Sequence, residues 1–364
     1  MTRAIRARYV DPLAEIWLAC ARQVGLQVVR SPAAYAATDG RGVLIVGDEP
    51  SLDADDSLAQ MIFHELCHSL VEGPDAFARP DWGMDNVGDD DLWREHGCLR
   101  LQWVLAGRYG LRELFAPTTD HRPAFWDQLG DDPLGDRDAP SVQAAIRGLT
   151  RVGDRPWAPA LTAALEATAA LARQVDAALA RAPTAAPAPG ELPSLWQGLT
   201  APPPPHPTGL PAGLVRAERS CGTCAWRYQG GPGRKAERCR HTTTRIDLAW
   251  PGCERWEPAG SVDCQRCGAC CRAAYQSVEV GRRERFVRQH PDLVVDRGSY
   301  LEIQRAGDRC AALVGGEAVE AAQGPRVSPY ACVVYPDRPR TCRDFTLGSE
   351  HCLTARQRVG LTIG

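Results

Sequence analysis

Residues 57–72 read SLAQMIFHELCHSLVE, and this stretch decides how the first half of the chain is built. Ile62, Leu66 and Leu70 recur at helical spacing, Ser51, Asp53 or Asp55 can cap the start, and Gly73-Pro74 supplies a stop. The spacing predicts a helix over 51–72. His64 and His68, four positions apart, share one face of it, so both imidazoles can chelate a single ion. Glu65, beside the first histidine, can take a proton from a water activated at such an ion. Just upstream, VLIV at 43–46 lies between Gly42 and Gly47 and reads as a short strand.

A hydrolytic zinc site needs a third protein ligand and an open position. After the polar stretch 72–91, the segment DLWREHGCLRLQWVLAGRYG (91–110) carries Leu92, Leu99, Trp103 and Leu105, the pattern of a packed second helix. Glu95 is the leading third ligand and the adjacent His96 the alternative. Neighbours on a helix point about 100° apart, so only one of the pair faces the ion. His121 or Tyr109 can donate to the oxyanion of a tetrahedral intermediate. Cys67 and Cys98 are expected to meet between the two helices as packing groups.

Residues 40–110 thus resemble the zincin metallopeptidases, on the strength of the strand, the His64-Glu65-x-x-His68 helix and the later Glu95. The metzincin extension is absent, with Val71 and Pro74 where its glycine and third histidine would stand. The gluzincin pattern, with a glutamate from a later helix, fits better. The resemblance implies Zn2+ on His64, His68 and Glu95, with Glu65 as general base. It also implies a peptide or protein substrate lined up along the strand that precedes the helix.

The remaining sequence is of another kind. At 364 residues, 44% hydrophobic and 24% charged, the chain is long enough for two or three globular units. No apolar run reaches membrane-spanning length, and Asp11 and Glu15 interrupt the N-terminal stretch where a signal peptide needs an apolar core. The expectation is a cytoplasmic protein with no membrane partner. Residues 1–181 hold 18 Arg and 27 Asp+Glu, net -9, which leaves net +6 for the rest of a chain at -3. With no interleaved aromatics and no reader helix, that positive half argues against nucleic acid. Its cysteines say more: of Cys 15 in the chain, twelve lie between Cys221 and Cys352, and clustered thiols in a reducing compartment point to metal.

Two groups stand out. Cys221, Cys224, Cys239 and Cys253 form C-x2-C-x14-C-x13-C, a spacing suited to a tetrahedral four-thiolate site, capped by Trp226, Trp250 and Trp256. Structural zinc is the first choice there and an iron-sulfur cluster the second. CQRCGACCR at 264–272 is followed by Cys310, Cys332, Cys342 and Cys352. Together with CAAL at 310–313 and CVVYPDRPRTCRDF at 332–345, it resembles the YkgJ-type CxxCxxCC cysteine-cluster family of zinc- or iron-chelating domains. The match covers about 259–364 and departs from the family in the insertion at 315–331. What it implies is chelation by Cys264, Cys267, Cys270, Cys271, Cys310, Cys332, Cys342 and Cys352, with zinc or an iron-sulfur cluster as cofactor. Eight thiols can serve one four-iron cluster with spares, or two zinc ions.

The expected architecture is therefore an α+β multidomain chain. A mainly helical, zincin-like domain with a small sheet occupies 1–182 and closes with an amphipathic helix at 158–182. A Pro/Ala-rich linker follows over 183–215, then a four-Cys metal-binding module over 216–258 and the cysteine-cluster domain over 259–364, both small, irregular and metal-stabilised. The leading functional expectation is a metal-binding protein that joins a zinc-dependent peptidase to cysteine metal modules. The alternative is an iron-sulfur, redox or metal-handling cysteine-cluster protein whose first domain is non-catalytic.

Overall fold

The structure is a computed structural model and describes residues 6–7, 9–85, 91–181, 190, 192–230, 236–272, 274–319 and 326–364. The chain divides into two compact units, 1–133 with 148–203 and 134–147 with 204–364.

In the first unit, helix α1 (Pro12–Val24) opens at Asp11, whose carboxylate accepts the Leu13 N–H at 2.8 Å. Strands β1 (Gln27–Arg30), β2 (Ala36–Thr38) and β3 (Val43–Val46) form a sheet in the order β1-β3-β2, with β1 parallel to β3 and β2 antiparallel to it. The run VLIV is thus the central strand, and its Leu44 and Val46 are fully buried.

Helix α2 (Leu58–Glu72) starts several residues later than the sequence pattern indicates. Its cap is Ser57, whose Oγ accepts the Gln60 N–H at 3.1 Å. Upstream, the Asp53 N–H donates to the Asp56 carboxylate and residues Glu49–Ser51 make a 3-10 turn, so the backbone is held in local turns where the sequence pattern starts the helix. Gly73, at φ 93, ends α2 in a conformation that disfavours a side chain. The Arg151 guanidinium donates to the Leu70 and Val71 carbonyls at 2.6 and 2.7 Å, satisfying groups the helix end leaves open.

One face of α2 packs on α1 through Trp17, Phe63 and Phe115, with ring centroids 4.7–5.3 Å apart. Helix α3 (Leu92–Arg108) packs along α2 as well. Then come the single turn α4 (His121–Ala124), α5 (Pro140–Arg151), whose residues 140–147 fall in the second unit, and α6 (Ala160–Leu179), the expected closing helix. Thr168 of α6 accepts the Trp17 indole N–H at 3.0 Å, tying α6 to α1 inside the core.

The second unit has little regular structure. An antiparallel pair β4 (Arg227–Gln229) and β5 (Glu237–Cys239) is followed by α7 (Cys264–Cys267). A three-stranded antiparallel sheet comprises β6 (Glu279–Val280), β7 (Val294–Asp296) and β8 (Leu301–Ile303) in the order β6-β8-β7, with α8 (Arg285–Gln289) between β6 and β7 in the chain. Two-residue strands complete it: β9 (Arg305–Ala306), β10 (Arg309–Cys310), β11 (Leu313–Val314), β12 (Ala318–Val319), β13 (Arg326–Val327) and β14 (Ala331–Cys332). The chain then ends on α9 (Arg340–Arg343) and α10 (Glu350–Arg358). Mixed helices and small sheets, with no closed barrel among the described residues, agree with an α+β class.

Residues 183–189 and 191 of the expected linker lie outside the described residues. Farther along, the Thr200 N–H donates to the Gly110 carbonyl in the first unit, and Pro211 accepts the Glu254 N–H in the second. Residues 216–258 and 259–364 fall in one unit, joined by a buried ion pair between Glu257 and Arg356 at 2.5 Å, with Thr362 donating to the same carboxylate at 2.6 Å. Among the described residues no helix is long and apolar enough to cross a membrane.

Candidate metal centre

Helices α2 and α3 bring His64, His68 and Glu95 together. The two Nε2 atoms are 3.0 Å apart, and the Glu95 carboxylate lies 3.0 Å from that of His68 and 3.6 Å from that of His64. Ligand atoms on one tetrahedral zinc stand about 3.3 Å apart, given bonds of about 2.0–2.1 Å. The tautomer of His64 follows from its neighbours. The Gln102 amide donates to the Phe115 carbonyl, which leaves its Oε1 to accept from His64 Nδ1 at 2.8 Å. His64 Nδ1 therefore carries the proton, and its Nε2 lone pair points at the other two groups. Three acceptors this close repel unless a cation sits among them, either a metal or a proton on His68.

Without metal, the proton takes that place. Burial works to lower the His68 pKa, but the Glu95 carboxylate outweighs it and raises the group to about 8. Burial alone would raise Glu95, yet His68 and His64 hold it far below the usual carboxylate range. His68 Nδ1 is buried and has no hydrogen-bond partner among the described residues. His96 points elsewhere: it stacks on Phe125 at 3.8 Å between ring centroids, and burial with the nearby Arg100 drops it to about 4. Of the adjacent pair, Glu95 is the residue turned toward the two imidazoles.

Cys98 also comes close. His64, His68 and Cys98 offer ligand atoms that all lie within 4.8 Å of one another, a possible His/Cys metal triad. Its Sγ lies 3.8 Å from His64 Nδ1, the nitrogen that Gln102 occupies, so Cys98 approaches the ring from the side away from His68. Burial, then a hydrogen bond with Cys67, raises the Cys98 thiol well above its ordinary value. The two cysteines do meet between the helices, and there they are packing groups.

Glu65 is buried, and its Oε2 accepts the Trp82 indole N–H at 2.7 Å. Trp82 belongs to a segment laid against strand β2: Thr38 N–H donates to Asp81, Trp82 N–H to Thr38 Oγ1, and Asp39 bridges Pro80. Strand β3 is hydrogen-bonded on both sides, so only β1 and β2 are sheet edges, and β2 is covered in part by residues 80–82. His121 lies near enough for its charge to act on Glu95 and His96. Tyr109, its alternative, stands at the far end of α3, about 21 Å along the axis from Glu95 at 1.5 Å per residue, and is not at the site.

In the second unit, Cys221, Cys224, Cys239 and Cys253 line one small cavity of about 10 Å³, with His206, His241, Trp226 and Trp256 in its walls. Ser220 and Thr223 cap each other's backbone across the Cys221–Thr223 turn and so present Cys221 and Cys224 side by side. Burial and then the neighbouring thiols push Cys221 up to about 11. Cys253 rises to about 12, chiefly by burial. His206 Nδ1 accepts the Thr208 N–H at 3.1 Å, so the ring proton is on Nε2, which faces the Cys221 sulfur at 3.5 Å. His241 Nε2 is buried without a partner among the described residues, and burial with Arg255 and Arg356 holds the ring neutral, at about 3. Trp250 stands one layer out, edge-on to His206 at 5.8 Å.

Farther along, Cys264, Cys267, Cys270, Cys271 and Cys352 line a cavity of about 40 Å³ whose wall includes Arg356. Gly268, at φ 61, makes the left-handed step between the turns that carry Cys264–Cys267 and Ala269–Cys271. Arg356 Nη1 donates to Cys267 Sγ at 3.2 Å. Cys310 is buried in a core of Val280, Phe286, Leu301 and Ile303, with Cys271, Cys332 and Cys342 packed against it. In the insertion at 315–331, β12 pairs with β13, and residues 320–325 lie outside the described residues.

The donor sets of both units suit a metal ion. Comparison with family models, curated proteins and solved structures returns no match. Sequence reading did not single out Gln102, Trp82, His206, His241 or Arg356. Gln102, Trp82 and Arg356 act through partners in other elements, and His206 and His241 line a cavity built by several segments, so no local spacing announces them.

Proposed function

We propose that the chain is a zinc-dependent hydrolase of peptide bonds whose second unit holds further metal on cysteine. The observation that carries the reading is the convergence of His64 Nε2, His68 Nε2 and the Glu95 carboxylate within 3.0–3.6 Å, on two packed helices. A zinc ion held by these three groups would supply Lewis acidity toward a carbonyl and lower the pKa of a water nearby. Glu65 is the proton acceptor. Its Oε2 is held by Trp82, which leaves Oε1 to take the proton of the attacking water and return it to the leaving amine. His121, which acts electrostatically on Glu95, is the donor assigned to the developing oxyanion. The resemblance to zincins supports the same roles.

The test uses the full chain and an unstructured protein such as fluorescent casein. Glu65→Gln is expected to keep its zinc and lose about 10²–10⁴-fold in hydrolysis, the range for a general base. Hydrolysis that survives in Glu65→Gln sinks the proposal. The rival reading, a cysteine-metal protein with a non-catalytic first unit, draws on one observation: Trp82 engages the very carboxylate that would serve as base. It expects zinc in the first unit, no hydrolysis by the wild type, and iron with acid-labile sulfide in the second.

The four thiols Cys221, Cys224, Cys239 and Cys253 around one small cavity support a single tetrahedral ion such as Zn2+ in that module. The resemblance to the YkgJ-type family supports chelation by the eight later cysteines.

A further inference from the structure

Cys270 and Cys271 are neighbours in sequence with different surroundings. They lie in a 3-10 turn, Ala269–Cys271, where successive side chains point about 120° apart. Cys270, with Cys267, packs beside Ala269, Ala274, Ala355, Val359 and Leu361, and it shares the 40 Å³ cavity with Cys264, Cys267 and Cys352. Cys271 touches that cavity's wall, but its thiol hydrogen-bonds Cys310, in the separate core where Cys332 and Cys342 also pack. Strand pairing fixes part of this second group, because β14 sets Cys332 opposite Leu313, three residues past Cys310.

We infer that these eight thiols form two separate four-thiol metal sites, Cys264/Cys267/Cys270/Cys352 and Cys271/Cys310/Cys332/Cys342, divided at the Cys270–Cys271 peptide bond. Each takes one soft divalent ion of the zinc type. This rests on the reading that the cysteines hold metal, and not on the hydrolase. On binding, four S–H bonds break, four metal–sulfur bonds form, and four protons leave to solvent, so each site carries a net charge of about -2. A guanidinium stands ready for it in the first site, where Arg356 donates to Cys267. The division also explains the vicinal pair, since one cysteine cannot face both cores.

The test counts zinc retained per full-length chain, purified under reducing and anaerobic conditions and challenged with excess pyridylazoresorcinol. Cys270→Ser and Cys352→Ser should each release about one equivalent more than the wild type. Cys271→Ser and Cys342→Ser should each release a different single equivalent, and Cys270→Ser/Cys271→Ser should release two. The outer members, Cys352 and Cys342, repeat the assignment if a central variant fails to fold, which would show as loss of the metal held by Cys221, Cys224, Cys239 and Cys253 in the same unit as well. The inference is overturned if any single variant releases both equivalents, if the double variant releases only one, or if the wild type holds no cysteine-bound metal or one iron-sulfur cluster on these residues. Hydrolysis lost in Glu65→Gln is read separately and leaves this count unaffected.

Discussion

Gln102 decides which nitrogen of His64 faces the site, because its amide hydrogens are committed to Phe115 and only its oxygen is left for the ring. Gln102→Leu removes that constraint and should weaken zinc binding in the first unit about 10–100-fold, the usual range for such supporting partners, as read by zinc titration against a competing chelator. The pH dependence follows from His68. Its pKa in the metal-free chain is raised to about 8, above the ordinary 6.5, so the contact with Glu95 stabilises fully below about pH 6.5 and is lost as pH rises through about 8. Zinc must displace that proton. Zinc affinity should therefore climb about tenfold per unit up to pH 8 and flatten above it, and a flat profile from pH 6 to 8 would refute a protonated His68. His64, Glu65 and His68 were legible because a helix turns spacing into geometry. Glu95 was legible only as one of two neighbours, and the choice over His96 came from Phe125, whose stacking no spacing reveals.

At the scale of elements, helix α2 is both the metal-bearing helix and the core of its unit, so its ends bear on the site. Ser57→Ala removes the cap that accepts the Gln60 N–H and should lower stability by about 1 kcal/mol with zinc content unchanged, measured by denaturant unfolding of the zinc-loaded chain. The existence of α2, α3, β3 and α6 was legible from apolar periodicity, and the start of α2 was not. Several acidic and hydroxyl side chains competed for the cap, and the local bond between Asp53 and Asp56 settled it. The central place of β3 was hidden as well, because its partners β1 and β2 come from other stretches. An extended peptide would have to pair at β1 or displace residues 80–82 from β2. Trp82→Ala, which also frees Glu65, should therefore raise hydrolysis of long peptides if that segment restrains the site, measured as kcat/KM against casein fragments.

At the scale of the whole molecule, the two units differ in what holds them together. The first has a core of Trp17, Phe63, Phe115 and the apolar faces of α1, α2 and α6, whereas the second has strands of two or three residues and twelve cysteines, of which Cys221, Cys310 and Cys352 are buried. Removing metal should expose residues 204–364 to proteolysis while residues 9–133 stay resistant, read by limited digestion before and after chelation. Equal resistance of both would show that the cysteines pack without metal. Composition made the contrast between halves legible. It could not show that residues 134–147 group with the cysteine-rich unit, because that assignment depends on contacts such as Arg326 with Asp136 and Arg272 with Gln143. The order of synthesis then matters. Residues 134–147 leave the ribosome roughly two hundred residues ahead of residue 364, and at about 5–20 residues per second they wait some tens of seconds for the last of their neighbours in this unit. During that interval α5 is half accounted for, with its last turn belonging to a unit already made and its first two turns to one still being translated.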